Sequence, residues 1–283
     1  MSDVTAIGLG VMGSALARAL LKKGLRVSVW NRTAAKAQPF AELGAVVETN
    51  LADAVRASPV ILVCIDNYAV TRRILDMPDV LASLAGRILV QLSTGTPREA
   101  RETQAWLKAH GVGYIDGAFL GGPHMVGTAQ ALTLVAGTKT VVDRCELLLK
   151  GFGGSLRYLG ENIAAPNALD LAWLCQRLGL FLGLAHGVSV CEAERVDVGL
   201  YASMFPEGDR SRIFAEVVRD DAYENPPASL SIWCAAFRRI LDHAQEGGIS
   251  PEIPDFAAGL FERATAAGYG KEDVAALIKV LRK

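Results

Sequence analysis

Through the first half of the chain, short apolar runs alternate with amphipathic stretches. That alternation predicts a parallel sheet covered by helices on both faces. Residues 4–9 read as a strand and 13–23 as a helix, stopped by Gly24 in a left-handed conformation. Residues 25–30 form the next strand. Thr33 caps a helix to about residue 43, followed by a short strand at 46–47 and a helix over 51–57. The run at 60–65 and, apart from Gln91, the run at 88–92 are apolar and carry β-branched residues, as expected of buried parallel strands. Residues 97–110 are helical, 114–118 and 131–136 are strands, and a helix over 141–150 ends at Gly151. After about residue 160 the strand signals stop. Residues 162 to about 195 read as one long helix, and the remainder as shorter helices punctuated by Pro206, Pro226, Pro227, Pro251 and Pro254. The expected division is an α/β domain over 1–160, an interdomain helix over 161–195 and an all-helical domain over 196–283.

Between Asp170 and Glu192 the only ionisable side chains besides cysteine are Arg177 and His186, so this stretch is apolar enough to raise the question of a membrane span. Arg177 and Gln176 near its middle, with Gly179, Gly183 and Gly187, make insertion costly. A helix apolar on nearly all sides is otherwise a buried one, and we expect a soluble protein with no membrane partner. One small helical domain cannot cover that much apolar surface, which predicts a homodimer whose helical domains wrap each other. A chain of 283 residues with 51% apolar content can fill two domains. Its net charge of −1 argues against a nucleic-acid partner. Five cysteines without a C-x-x-C pair fit the reduced thiols of a cytoplasmic protein, and no metal site is legible. The N-terminus leads straight into a strand, so no secretory signal is expected.

Gly8-Leu9-Gly10-Val11-Met12-Gly13 is a G-x-G-x-x-G that follows a strand and opens a helix. In that setting it marks a dinucleotide site of the Rossmann type. The first Gly permits the tight turn, the second lets backbone approach a pyrophosphate, and the third allows close helix–strand packing. The helix N-terminus adds unpaired N–H groups and a positive dipole end. Strand two ends in Asn31-Arg32-Thr33, where an NAD-specific site would place an acidic residue for the ribose 2′-hydroxyl. Asn31 is uncharged, and Arg32 suits a 2′-phosphate, with Thr33 and Lys36 adding a hydroxyl and a second cation. Thr33 as a simple helix cap is compatible with this. The expected cofactor is NADP(H).

Cys64-Ile65-Asp66 leaves a strand, and Ser93-Thr94 follows another. These two loops resemble segments that lie along the cofactor and near its nicotinamide in the β-hydroxyacid dehydrogenase superfamily, and the resemblance implies that they close the cofactor site. Thr96-Pro97-Arg98-Glu99 reads as a capping box with Pro at the first helical position, so Thr96 and Glu99 are mainly structural.

The run from Asp116 to Thr128 has the form D-G-A-x-x-x-x-P-x-x-[IV]-G. It resembles the substrate loop of imine reductases more than that of hydroxyacid enzymes, whose loop runs to a Ser-Gly-Gly that holds a carboxylate. Leu120 stands in place of that Ser, which makes a carboxylate substrate less fitting. Gly121, Pro123 and His124 are candidates to line the substrate pocket, though a loop His can equally be structural or solvated. Gly160 to Asp170 resembles the catalytic segment of the β-hydroxyacid dehydrogenases. Those carry a catalytic Lys where Asp170 stands and an Asn one turn later, where Leu174 stands here. Taken together, the chain resembles an NADPH-dependent imine reductase, reductive aminase-like, of the β-hydroxyacid dehydrogenase superfamily, with a 6-phosphogluconate dehydrogenase-like layout. The resemblance implies an interlocked dimer whose active sites use the nucleotide domain of one subunit and helices of the other.

The resemblance makes Asp170 the catalytic candidate. A protonated imine is a cation that accepts hydride readily, and a carboxylate beside it stabilises the charge and relays a proton to nitrogen. A carboxylate near a helix N-terminus is also favoured by the macrodipole alone. Some imine reductases carry a Tyr eight residues later; here that position is Leu178. Some reductive aminases have an Asn where Thr94 stands. Trp173 either lines the pocket or belongs to the core. The alternative readings are a β-hydroxyacid dehydrogenase or small-aldehyde reductase acting on glyoxylate or a semialdehyde, and a non-catalytic NADP-binding protein.

Overall fold

Successive residues of β1 (Val4–Ile7) point to opposite faces of a sheet, sending Val4 and Ala6 into one apolar cluster and Ile7 into another. β4 (Val60–Val63) repeats the division, with Leu62 on the first face and Ile61 and Val63 on the second. α1 (Val11–Lys22) covers the first face with Leu16, Ala17 and Leu20. α4 (Pro78–Leu84) and α5 (Pro97–Ala109) cover the second with Val80, Leu84, Trp106 and Leu107. The computed structural model describes residues 1–282, and the chain divides into two units, Met1–Asp170 and the residues from Leu171 onward.

The first unit also contains β2 (Val27–Trp30), β3 (Val46–Val47), α2 (Leu51–Arg56), α3 (Tyr68–Leu75), β5 (Ile88–Gln91), β6 (Gly113–Leu120), β7 (Leu132–Gly137), α6 (Lys139–Arg144), α7 (Glu146–Lys150) and β8 (Ser155–Tyr158). The strands form one sheet in the order β3-β2-β1-β4-β5-β6-β7-β8. Order reverses beside β1, and the carboxyl ends of β1, β2 and β4 open a crevice there, the usual ligand position in such sheets.

Several expectations need correction. The sheet is not wholly parallel, because β6 and β7 pair antiparallel, Ile115 opposite Gly137. Their connection carries only a short 3-10 turn at Pro123–Met125, and a parallel pairing needs a longer crossover. The helix expected to follow Thr33 is two 3-10 turns, Ala34–Lys36 and Gln38–Phe40, with Pro39 inside the second, and Thr33 makes no side-chain cap bond. The helix expected over 141–150 is α6 and α7, separated at the buried Cys145. The strand expected to reach residue 65 stops at Val63, and α3 begins after Asn67, whose Oδ1 accepts from Val70 N–H at 2.8 Å. α3, α4 and β8 carry too few contiguous apolar residues to have been read. The capping box at Thr96 and Glu99 is present.

α8 (Ala165–Ala193) runs from the end of the first unit into the second. The second unit adds α9 (Val198–Ser203), α10 (Arg210–Arg219), α11 (Leu230–Gly247) and α12 (Glu252–Ala266). Leu171, Leu174, Leu178, Phe181, Ala185 and Val188 recur at helical spacing and fill its core with Phe214, Phe237 and Phe261. Phe237 and Phe261 meet edge-on, 4.8 Å between ring centroids. The expectation of a helix buried on nearly all sides is corrected within this chain. Ala172, Cys175, Gln176, Gly179, Gly183, His186 and Val190 are exposed along one stripe. α8 is long and apolar enough to cross a membrane, and 39% of its most apolar stretch is buried within the chain.

Candidate active site

Each glycine of the turn after β1 has a distinct reason to be there. Gly8 has φ +97, and a Cβ on it would lie 2.3 Å from the Cys64 carbonyl oxygen at the end of β4. A Cβ on Gly13 would lie 2.0 Å from the Gly8 carbonyl oxygen, so α1 packs onto the turn only without a side chain. A Cβ on Gly10 would meet nothing within 4 Å. The backbone is bare toward open space there, as a pyrophosphate needs. Gly10 is the N-cap of α1 and no side chain satisfies that helix end, which leaves its N–H groups to an anion.

The turn opens on a cleft of about 300 Å³ at the carboxyl ends of β1, β2 and β4. Gly8, Gly10, Val11, Met12 and Gly13 line one side, Asn31, Arg32, Thr33 and Lys36 a second, and Cys64, Ile65 and Asp66 a third. The structure thus gathers most of the residues expected to bind the cofactor. Leu9 lies in the adjoining hollow with Arg18. Asn31 also acts as a brace: its Oδ1 accepts from Leu9 N–H at 2.9 Å and its Nδ2 donates to the Thr33 carbonyl at 3.0 Å. Arg32, Thr33 and Lys36 beside it are exposed.

Ser93 is buried, and its Oγ accepts from Ile65 N–H at 3.0 Å, holding the loop after β4 in place. Ser93 and Thr94 do not line the cleft described above. Cys64 is half-buried, and the desolvation of its thiol pushes its pKa up to about 12 and keeps it neutral.

Leu120 ends β6, and Gly121, Pro123 and His124 sit on the connection beyond it. His124 is exposed, with its ring against Gly122. Asp170 lies just past the first turn of α8 and is buried, 8% exposed. Trp173 belongs to the second unit, half-buried against its core with the Arg177 guanidinium 4.9 Å from the ring centre.

The strongest polar arrangement in the first unit was missed as a cluster in the sequence. Asp116 of β6 is fully buried and takes three hydrogen bonds. Tyr68 Oη donates to its Oδ2 at 2.6 Å, Tyr114 Oη to the same oxygen at 2.5 Å, and Asn167 Nδ2 to its Oδ1 at 2.7 Å. Asn167 Nδ2 also donates to Tyr68 Oη at 3.0 Å. Burial pushes the Asp116 carboxyl up to about 7, against the hydrogen bonds from Tyr114 and Tyr68, which pull it down, and with a small upward push from Glu99. Burial likewise drives both phenols well above their ordinary range, so they remain donors. Gly95 makes room for Tyr68, since a Cβ there would lie 2.3 Å from its ring. The one available signal was an aspartate between apolar neighbours in a strand, which obliges the fold to supply donors.

The chain matches the family described as the NAD binding domain of 6-phosphogluconate dehydrogenase over residues 3–160. It matches the NADPH-dependent reductive aminase-like C-terminal domain over residues 162–283. An NADPH-dependent reductive aminase from Aspergillus oryzae is 32% identical over 289 residues, covering 97% of this chain and 95% of its own. An imine reductase from Myxococcus stipitatus, solved in complex with NADP+, is 31% identical with a TM-score of 0.63, over 99% of this chain and 100% of that one. A 3-hydroxyisobutyrate dehydrogenase from Salmonella typhimurium reaches a TM-score of 0.86 at 19% identity, over 99% and 100% of the two chains, a likeness of fold alone.

Proposed function

We propose a substrate and a catalytic group from one premise: the chain belongs to the NADPH-dependent reductive aminase and imine reductase family, with a nucleotide-binding domain of the 6-phosphogluconate dehydrogenase type. It is an oxidoreductase, its cofactor is NADP(H), and its reaction class is the reduction of C=N bonds. When bound, the cofactor supplies a hydride from C4 of its nicotinamide. The cleft supports a reading of the protein's own part in holding it. Bare backbone at Gly10 and the open end of α1 suit the pyrophosphate, and Arg32 and Lys36 suit a 2′-phosphate.

In this reading the substrate is a cyclic imine, reduced as its iminium ion, and Asp170 is the residue that acts on it. The observation that carries the proposal is a carboxylate, buried on α8, where the resemblance places a lysine in hydroxyacid enzymes. A carboxylate shielded from water interacts strongly with a neighbouring cation. Asp170 therefore gives its carboxyl proton to the imine nitrogen, and the carboxylate left behind stabilises the iminium ion; hydride addition at carbon then leaves the neutral amine. A lysine would repel the same cation. Leu120 offers no donor to a substrate carboxylate, which weighs against a hydroxyacid. The test is NADPH oxidation with 2-methyl-1-pyrroline or with glyoxylate. Turnover of the imine is expected. Turnover of glyoxylate alone would move the enzyme to the hydroxyacid dehydrogenases, and NADPH binding without turnover of either would make it a binding protein.

The oligomer proposed is a homodimer. The exposed stripe of α8 is largely small or apolar, and neither Gly179 nor Gly183 has anything within 4 Å of where a Cβ would stand. A small, apolar face of this kind supports close packing by a second copy. We place the dimer in the cytoplasm, free of membrane and nucleic acid, in keeping with five free thiols and a net charge of −1.

A further inference from the structure

Asn167 is 1% exposed, and both hydrogens of its amide are used, one on Asp116 Oδ1 and one on Tyr68 Oη. The group therefore joins three elements of the first unit: β6 through Asp116, α3 through Tyr68, and the first turn of α8. Asp116 and Tyr68 are held in their own right by the 2.6 Å bond between them, and Tyr114 adds a further bond to the carboxylate. Asn167 is thus tied to an anchor that is rigid without it. Asp170 lies three residues later, on the same face of the helix and one turn along.

We propose that Asn167 is a positioning residue for the reaction, pinning the first turn of α8 to Asp116 and Tyr68 so that Asp170 is fixed where it acts. This rests on the reading of Asp170 given above. The physical case is that an acid or electrostatic group works only when held to a fraction of an ångström, and a misplacement of about 1 Å can cost up to about a hundredfold in rate. The first turn of a helix lacks half of the backbone hydrogen bonds of its interior, so it frays unless something outside the helix holds it. A buried amide saturated by two partners supplies that hold, and leucine, of similar volume, would leave Asp116 Oδ1 without this donor.

The experiment uses the full-length protein with NADPH and saturating 2-methyl-1-pyrroline, comparing wild type, Asn167→Leu, Asp170→Ala and the double variant. Asn167→Leu is expected to lower kcat by about tenfold or more and leave the KM for NADPH within about twofold. In the Asp170→Ala background the same substitution should cost less than about twofold, because a positioning residue has nothing left to position. Equal fold-losses in both backgrounds, or no loss in either, would overturn the proposal and make Asn167 a structural core residue. If Asp170→Ala alone keeps the wild-type rate, the reading of Asp170 fails first, and the positioning role falls with it. Where Asn167→Leu does not fold, Asn167→Ser, which keeps one donor, is put through the same comparison, with a smaller loss expected and the same equal-loss outcome overturning the idea.

Discussion

Asn167 Nδ2 donates to Asp116 Oδ1 across 2.7 Å, although 51 positions separate the two residues in sequence. The bond joins β6, a strand flanked by β5 and β7, to the helix that carries Asp170, and a carboxylate sits where a strand would ordinarily be apolar. Asp116 is at once a structural acceptor and a group that titrates near neutrality, which gives the fold a measurable pH dependence.

Asp116→Asn should remove that dependence. Its folded pKa of about 7 is raised above the ordinary carboxylate value of 3.8. The folded protein therefore binds the extra proton, and the stability so gained is full below pH 3.8 and lost as pH rises through about 7. Between pH 5 and 8 the wild type should lose on the order of 2–3 kcal/mol from this group. Thermal unfolding at the two pH values checks this, and a wild-type and Asp116→Asn pair with the same difference in Tm would sink the assignment.

Arg32→Ala should weaken NADPH far more than NADH. A charge-assisted hydrogen bond is worth roughly 1.5–3 kcal/mol, about one to two decades of affinity. Titration of both cofactors by fluorescence decides it, and equal losses would remove Arg32 from the 2′-phosphate.

Asp170→Asn and Asp170→Ala should lose imine reduction by on the order of 10²–10⁴ in rate with near-normal NADPH affinity. Single-turnover NADPH oxidation with saturating 2-methyl-1-pyrroline is the measurement. If Asp170→Ala keeps more than about a third of the wild-type rate, a barrier change under about 1 kcal/mol, the carboxylate serves the helix terminus only.

The glycines of the turn should separate folding from binding. Gly13→Ala puts a Cβ against the Gly8 carbonyl and should lower Tm and cofactor affinity together. Gly10 has φ −68 and open space beside it, so Gly10→Ala should fold normally and lose NADPH affinity by about tenfold or more. Melting curves of the apoproteins beside NADPH titrations distinguish the two, and a Gly10→Ala variant with unchanged affinity would place the pyrophosphate elsewhere.

Light scattering should report about twice the chain mass, from pairing of the exposed α8 stripe. Replacing Gly183 with Arg, whose Cβ would meet nothing within 4 Å among the described residues, should yield monomers of normal helicity. A wild type that is monomeric at micromolar concentration rules out this dimer.

The glycine spacing after a strand, the uncharged Asn31 beside Arg32, and the capping box at Thr96 were all determined by sequence, because each depends on neighbours a few residues apart. So was the long helix, whose apolar run needs no partner to be recognised. The short connection that turns β7 antiparallel was present in the sequence, but only strand pairing gave it meaning. The break at Cys145 and the two turns that replace the helix after Thr33 depend on what packs against them. Asn31 read as a phosphate-side residue, and only the fold gave its amide to Leu9 and Thr33 as a brace. The cluster of Tyr68, Tyr114, Asp116 and Asn167 was left to tertiary structure altogether. Its four members come from a helix, a strand and a second helix, and hydrogen bonding between groups so far apart along the chain is fixed only when the sheet and α8 bring them within 3 Å.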